Sequence, residues 1–282
     1  MSKYVVRYGS MRILRPFASA GKNCYARGDR VIVRTDRGLE SGVILCEAAE
    51  GAAAKTDALH EGQVLRKMTA EDENELARIH NQEKAEFEVC QRCIRQLALE
   101  MRLVDVEHIF GGERIVVYYL AEGRVDFREL VKMLAGEFQT RIEMRQIGVR
   151  DEAKLMADYG DCGQPVCCNN HLVSMPPVSM KMAKLQKATL DPTKISGRCG
   201  RLKCCLRYEF DTYESMLAEL PPIGASVETP DGQARVVGHE ILTRQLVVEL
   251  EDRVRKSFDA EEVAALAAEN RPKRRRTPSR SQ

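Results

Sequence analysis

The chain carries ten cysteines, and six of them form a duplicated pattern. Residues 162–168 read Cys-Gly-Gln-Pro-Val-Cys-Cys, and residues 199–205 read Cys-Gly-Arg-Leu-Lys-Cys-Cys. Cys162, Cys167, Cys168, Cys199, Cys204 and Cys205 therefore repeat at a constant offset of 37 residues. Thiolates are soft ligands, and four suffice to close a tetrahedral zinc site or to anchor an iron–sulfur cluster. Adjacent side chains diverge by about 100° on a helix and point to opposite faces of a strand, so each vicinal pair is expected to lend one sulfur to a given site. The simplest ligand set is Cys162, Cys199 and one member of each pair. The two remaining thiols would serve a second metal, a partner's cluster or packing. Gly163 and Gly200 are expected to permit close backbone approach, aiming N–H groups at sulfur. Buried thiols also pack as small hydrophobes, but packing alone does not explain a repeated six-cysteine pattern.

The rest of the composition narrows the setting of this chemistry. At 282 residues the chain is long enough for two or three small domains. It has no run of about 18 apolar residues and no signal-like apolar core near Met1, which leads us to expect a cytoplasmic protein with reduced thiols. That favours metal over disulfides. Net charge is +2, but the tail 271–282 alone holds six Lys/Arg and no acid. A second basic stretch, 181–207, sets eight Lys/Arg against the single Asp191. Lys181, Lys184, Lys187, Arg198, Arg201 and Lys203 lie within it and are candidates either to balance anionic thiolates or to contact a phosphate backbone. No P-loop, G-x-G-x-x-G, His-Glu-x-x-His or G-x-S-x-G motif occurs, and none of the five histidines is placed to serve a cysteine nucleophile. The chain is expected not to be an enzyme.

The elements that must position the cysteines read as an α+β chain. Residues 4–16 and 29–46 alternate as strands about the turn Thr35-Asp-Arg-Gly38, a small β domain over 1–60. The run from Glu50 to Asp57 is a small, polar connector. Residues 61–147 follow the order β-α-β-β-α-β: Gln63 to Met68, a long helix over 71–102 with the stripe Phe87, Cys90, Ile94, Leu97, Met101, a hairpin at Gly111-Gly112, a helix from Asp126 to Phe138, and a closing strand from Arg141 to Ile147. That order matches a ferredoxin-like unit. Cys90 and Cys93 share a helix face, where packing is the simpler role than redox chemistry; Cys24 and Cys46 are isolated. Residues 148–210 form a loop-rich, cysteine-rich segment. Within it a short helix from Ser179 to Lys187 carries three lysines on one flank. Residues 211–269 return to β structure and a final helix. There Val227-x-Thr229-x-x-Gly232 echoes Val33-x-Thr35-x-x-Gly38 at an offset of 194. The echo suggests two small β-barrel-like domains flanking the middle, ahead of a disordered basic tail at 270–282.

Three runs carry a resemblance. They are Gly148-Val-Arg-Asp-Glu-Ala-Lys154, Pro176-Pro-Val-Ser-Met-Lys-Met-Ala-Lys184 and Lys194-Ile-Ser-Gly-Arg-Cys-Gly-Arg-Leu-Lys-Cys-Cys-Leu-Arg-Tyr-Glu209. They resemble the PSP1 C-terminal domain family of the YaaT/RicT type, over roughly residues 3–260. The resemblance implies a non-enzymatic regulatory adaptor. It implies partnership with small helical proteins of the YlbF/YmcA type, [4Fe–4S] clusters held through cysteines, and action with ribonuclease Y in mRNA processing, with effects on sporulation. By position, the family cysteines match Cys162, Cys167, Cys168, Cys199, Cys204 and Cys205. The chain departs from the pattern before Cys162, at Met156 to Asp161, and after Cys168, at Asn169-Asn-His-Leu. The alternative is a module stabilised by Zn²⁺ that binds RNA through its basic stretch. A thiol redox enzyme using strained vicinal disulfides ranks last.

Overall fold

The computed structural model describes residues 2–21, 23–48, 62–156, 159–172 and 176–263. The expected connector from Glu50 to Asp57, the basic tail and the end of the expected last helix lie outside them. Two compact units emerge: the first takes residues 1–175 and 197–201, the second residues 176–196 and 202–282.

The first unit begins with a closed barrel. Its strands are β1 (Lys3–Tyr8), β2 (Ile13–Ser19), β3 (Arg30–Thr35), β4 (Gly38–Glu47) and β5 (Gly62–Lys67), in the order β1-β2-β5-β3-β4. Alternation drives it: Tyr4, Val6 and Tyr8 point inward from β1, and Val31, Val33, Ile44 and Val64 meet them in the core. Two edge-to-face aromatic pairs, Tyr4–Tyr25 and Tyr8–Phe17, fill the interior at 5.3 and 5.4 Å between ring centroids. Strand β5 enters parallel to β2 with Gly62 opposite Phe17. A Cβ at Gly62 would lie 2.2 Å from the Phe17 ring and 2.9 Å from the Arg34 carbonyl, so only glycine fits where the barrel closes.

The rest of the first unit is a three-stranded sheet with helices. After β5 come α1 (Ala70–Gln96), β6 (Arg102–His108), β7 (Arg114–Leu120), α2 (Arg128–Phe138) and β8 (Arg141–Gln146). The sheet order is β6-β7-β8, with β7 and β8 parallel neighbours. The element order therefore matches the expected split β-α-β pattern, but the ferredoxin-like sheet does not form. Its first strand, Gln63 to Met68, pairs with β2 and β3 of the barrel, and direct β7–β8 pairing closes the slot it would have filled. Helix length explains this. At 27 residues α1 is about 40 Å long, against about 23 Å for a seven-residue strand such as β6. Its first half reaches back over the barrel, where Arg30 pairs with Glu73 at 3.0 Å. Thr69 and Asp72 form a reciprocal capping box at its start. The helix ends at Gln96, short of the expected residue 102, and the chain turns through Ala98 at φ +48°. Cys90 is fully buried against Val117, Leu130 and Leu134, with its thiol pushed up to about 12 by that burial. It packs, as the stripe predicts.

The second unit holds a four-stranded antiparallel sheet, β9 (Ser226–Thr229), β10 (Gly232–Glu240), β11 (Gln245–Leu250) and β12 (Arg255–Asp259), in the order β12-β11-β10-β9. Leu220, Ala234, Val236, Leu246 and Val248 form its core. The sequence echo is a structural one at the hairpin: Thr35 Oγ1 donates to Gly38 O at 3.2 Å and Thr229 Oγ1 to Gly232 O at 2.7 Å. It goes no further, because β9–β12 form an open sheet among the described residues rather than a second barrel. No helix among the described residues is long and apolar enough to cross a membrane.

Candidate functional site

Each half of the cysteine repeat is a hairpin followed by a helical turn. In the first, Gly160 N–H donates to Gln164 O at 2.8 Å and Gly163 N–H to Gly160 O at 3.0 Å. In the second, Gly197 N–H donates to Arg201 O at 2.8 Å and Gly200 N–H to Gly197 O at 2.9 Å. Isolated bridges Tyr159–Pro165 and Ser196–Leu202 flank the two loops at the same 37-residue offset. This is the three-residue hairpin loop in which a type I turn ends on a left-handed residue. Gly163 and Gly200 occupy that last position at φ +76° and +72°. Close backbone approach is therefore not their role. Nothing lies within 4 Å of a Cβ built on either, and it is the positive φ that selects glycine.

The vicinal pairs then open helices. Helix α4 (Cys167–Asn170) follows the first hairpin, and a longer helix over Cys205–Ala218 follows the second. Asn169 N–H bonds to Val166 O at 2.9 Å, and Leu206 N–H bonds to Lys203 O at 3.2 Å in the equivalent place. The first sulfur of each half thus sits on a loop tip and the vicinal pair in a first helical turn, where N-terminal N–H groups favour anionic sulfur. Burial works against this at Cys205, where the thiol is raised chiefly by desolvation, then by the neighbouring Cys204 and Glu209.

Cys162 is exposed, and Cys167, Cys168, Cys199, Cys204 and Cys205 are partly buried. The expected single segment is divided: Cys162, Cys167, Cys168 and Cys199 belong to the first unit, Cys204 and Cys205 to the second. Among the described residues, no three His, Cys, Asp or Glu side chains are gathered closely enough to hold a metal ion. The donor chemistry suits iron or zinc, but the arrangement does not assemble a complete ligand set.

Two cations that the sequence did not single out stand near the first half. Lys154 lies on α3 (Val149–Met156), in the segment expected to be loop-rich. Burial lowers its pKa and Arg12 adds to this, while Asp151 and Cys168 oppose it. Arg12 itself donates to the Asn169 carbonyl of α4 at 3.4 Å. The alternation of Val149, Ala153 and Met156 was the available signal for this helix.

The basic candidates separate. Lys181 and Lys184 are exposed on α5 (Met180–Leu185), which ends two residues before Lys187. Lys187 takes φ +52° and pairs with Glu240 at 2.7 Å, so the expected three-lysine flank is a two-lysine one. Arg198 and Arg201 are exposed on the second hairpin, and Lys203 is partly buried beyond it. His171 is exposed after α4, as a surface role requires.

The PSP1 C-terminal conserved region matches residues 62–147, and the PSP1-like protein third domain matches residues 177–220, which include the second hairpin. The chain is 48% identical over 227 residues to the stage 0 sporulation protein YaaT of Bacillus subtilis, covering 79% of this chain and 81% of that one. It is also 35% identical over 98 residues to an uncharacterized protein of Schizosaccharomyces pombe, 34% of this chain and 13% of that one. No solved structure matches.

Proposed function

Since the chain belongs to the PSP1 family as a relative of YaaT, we propose that it is a sporulation-related regulatory adaptor without enzymatic activity. In this reading its cysteine hairpins contribute ligands to a [4Fe–4S] cluster. It acts with small helical proteins of the YlbF/YmcA type on ribonuclease Y-dependent mRNA processing. The observation that carries the reading is the duplicated hairpin-and-turn, which presents one loop-tip thiol and one vicinal pair twice over in the same backbone geometry. A cluster would supply a redox- and oxygen-sensitive link between these ligands. Cys162 and Cys199 are the fixed members of the proposed set, with one sulfur from Cys167/Cys168 and one from Cys204/Cys205. Because no three donors are gathered among the described residues, the reading assigns closure of the site to cluster insertion or to a partner's ligands.

The test is anaerobic purification, alone and with the helical partners, followed by iron, sulfide and zinc analysis and a visible spectrum. Equal iron and sulfide with absorption near ~400 nm, lost in single Cys162→Ser, Cys167→Ser, Cys199→Ser and Cys204→Ser variants, is the expected result. Protein free of iron under both conditions would sink it. Exposed Lys181, Lys184, Arg198 and Arg201 favour a second reading, a Zn²⁺-stabilised RNA-binding module. It requires stoichiometric zinc and RNA affinity that falls steeply with salt.

A further inference from the structure

A cleft of about 250 Å³ lies in the first unit, away from the cysteines. The barrel turn Arg7–Ser10 with Arg12, strand β4 at Glu40–Val43, the α1 face at Leu76, His80 and Glu83, and the end of β6 at Glu107–Phe110 enclose it. Arg7, Arg12 and Arg30 are among its lining residues. Arg30 is paired with Glu73, but among the described residues neither Arg7 nor Arg12 has a carboxylate partner. At the inner wall one cation serves two carboxylates, which leaves one negative charge to set against the lining arginines. Glu40 and Glu107 are both engaged by the buried Arg37, Glu107 through Arg37 Nη1 at 2.8 Å. Glu83 is pushed up to about 7, chiefly by burial, which leaves it protonated in a large share of molecules near neutral pH. Residues 1–48, which supply most of the lining, hold nine Lys/Arg against four Asp/Glu.

Two arginines without a carboxylate partner, Arg7 and Arg12, line one cleft, and Arg12 also donates to the Asn169 carbonyl. Guanidinium forks match phosphate oxygens, and a phosphate monoester carries about −1.5 to −2 charge at neutral pH. The volume lies below the usual range for drug-sized ligands, which limits the occupant to a small molecule. Ser41 on β4 and His80 on α1 add hydrogen-bonding groups at the walls. We propose that this cleft is a binding site for a small phosphate monoester, held by Arg7 and Arg12 between the barrel and α1.

Ribose 5-phosphate is the probe, titrated into the full-length protein and followed by calorimetry and by the histidine ring resonances in NMR. The expected result is saturable one-to-one binding that shifts His80 and His108 and leaves His171 and His239 unmoved. Arg7→Gln should weaken binding at least tenfold. Arg15→Gln removes the same charge from an exposed barrel position outside the cleft and should change it less than twofold. Arg12 is a poorer first variant, because it also holds α4 through Asn169. Absence of saturable binding overturns the proposal, as does equal weakening by Arg7→Gln and Arg15→Gln, which would mark diffuse charge attraction. If Arg7→Gln does not fold, the wild-type histidine shifts decide: movement of all four rings alike, or of none, overturns the proposal.

Discussion

Gly163 and Gly200 show how a single residue sets the cysteine geometry. Each holds a left-handed φ that a Cβ makes costly by roughly 1–2 kcal/mol, while asparagine visits the same region far more readily. Gly163→Ala is expected to displace Cys162 and to lower metal loading, with Gly163→Asn retaining more; metal content per chain after identical reconstitution checks the order. A second residue-scale prediction concerns the cluster at the α1–β6 contact. Glu86 is buried, accepts from Gln82 at 2.9 Å and pairs with the His108 ring at 2.8 Å, and Glu83 accepts from the His108 N–H at 2.9 Å. Glu86 raises His108, while burial raises Glu83 to about 7 and Asp105 to about 6. A raised folded-state pKa means that the folded protein holds the proton more tightly than the unfolded chain does. The carboxyl contributions are therefore complete below their unfolded values and are lost as pH climbs through about 6 and 7. That of His108 is complete below its unfolded value and is lost as pH rises through its own raised value. All three act in one direction, so stability should fall between pH 5 and pH 8. Glu83→Gln should remove about 1–2 kcal/mol of that fall, after allowance for solvent screening; urea unfolding at several pH values measures it.

At the scale of elements, β5 marks what the sequence could and could not say. The order of strands and helices from residue 63 to 147 was legible from alternation and from the 3–4 spacing of Cys90, Ile94 and Leu97. So were the Thr35–Gly38 hairpin and the duplicated cysteine motif. Pairing was not legible, because Val64 presents the same apolar face to a barrel as to a flat sheet, and periodicity carries no information about which neighbour receives it. The glycines of the repeat were visible, but their reason was misassigned, since a close contact and a positive φ select the same residue type. Lys154 and the cleft arginines were invisible because sequence distance hides the convergence of Arg12, Lys154 and Cys168. The pairing has a direct test. Val64→Ala, at a fully buried barrel position, should cost about 2–3 kcal/mol and raise amide exchange in β2 and β3 while sparing β7 and β8. The reverse pattern would place β5 in the central sheet. Thr69→Ala should cost about 1 kcal/mol through loss of the cap at the start of α1, read from the shift in urea midpoint.

Across the first unit as a whole, one buried polar network ties the barrel to the central sheet. Arg37, in the β3–β4 turn, bonds to Glu40 beside it, to Glu107 of β6 and at 3.2 Å to the Tyr118 hydroxyl of β7, all nearly inaccessible to solvent. The Tyr118 hydroxyl donates in turn to Glu107 at 2.6 Å, and Thr35 Oγ1 donates to Glu40 at 2.6 Å. Arg37→Leu leaves two buried carboxylates without their cation and is expected to cost about 3–5 kcal/mol. Adding Glu40→Leu should recover part of that loss in chemical denaturation. Buried polar groups thus join the barrel to the sheet, and β5 gives this a consequence for ancestry. The conserved PSP1 region spans residues 62–147, so it opens on a strand whose two hydrogen-bonding neighbours are encoded upstream. What is inherited as a block is thus not what folds as a block. Cut out at its own boundaries, the region would carry an apolar strand with both edges bare, a template for self-association. A chain that keeps this region must supply the missing staves of the barrel from elsewhere.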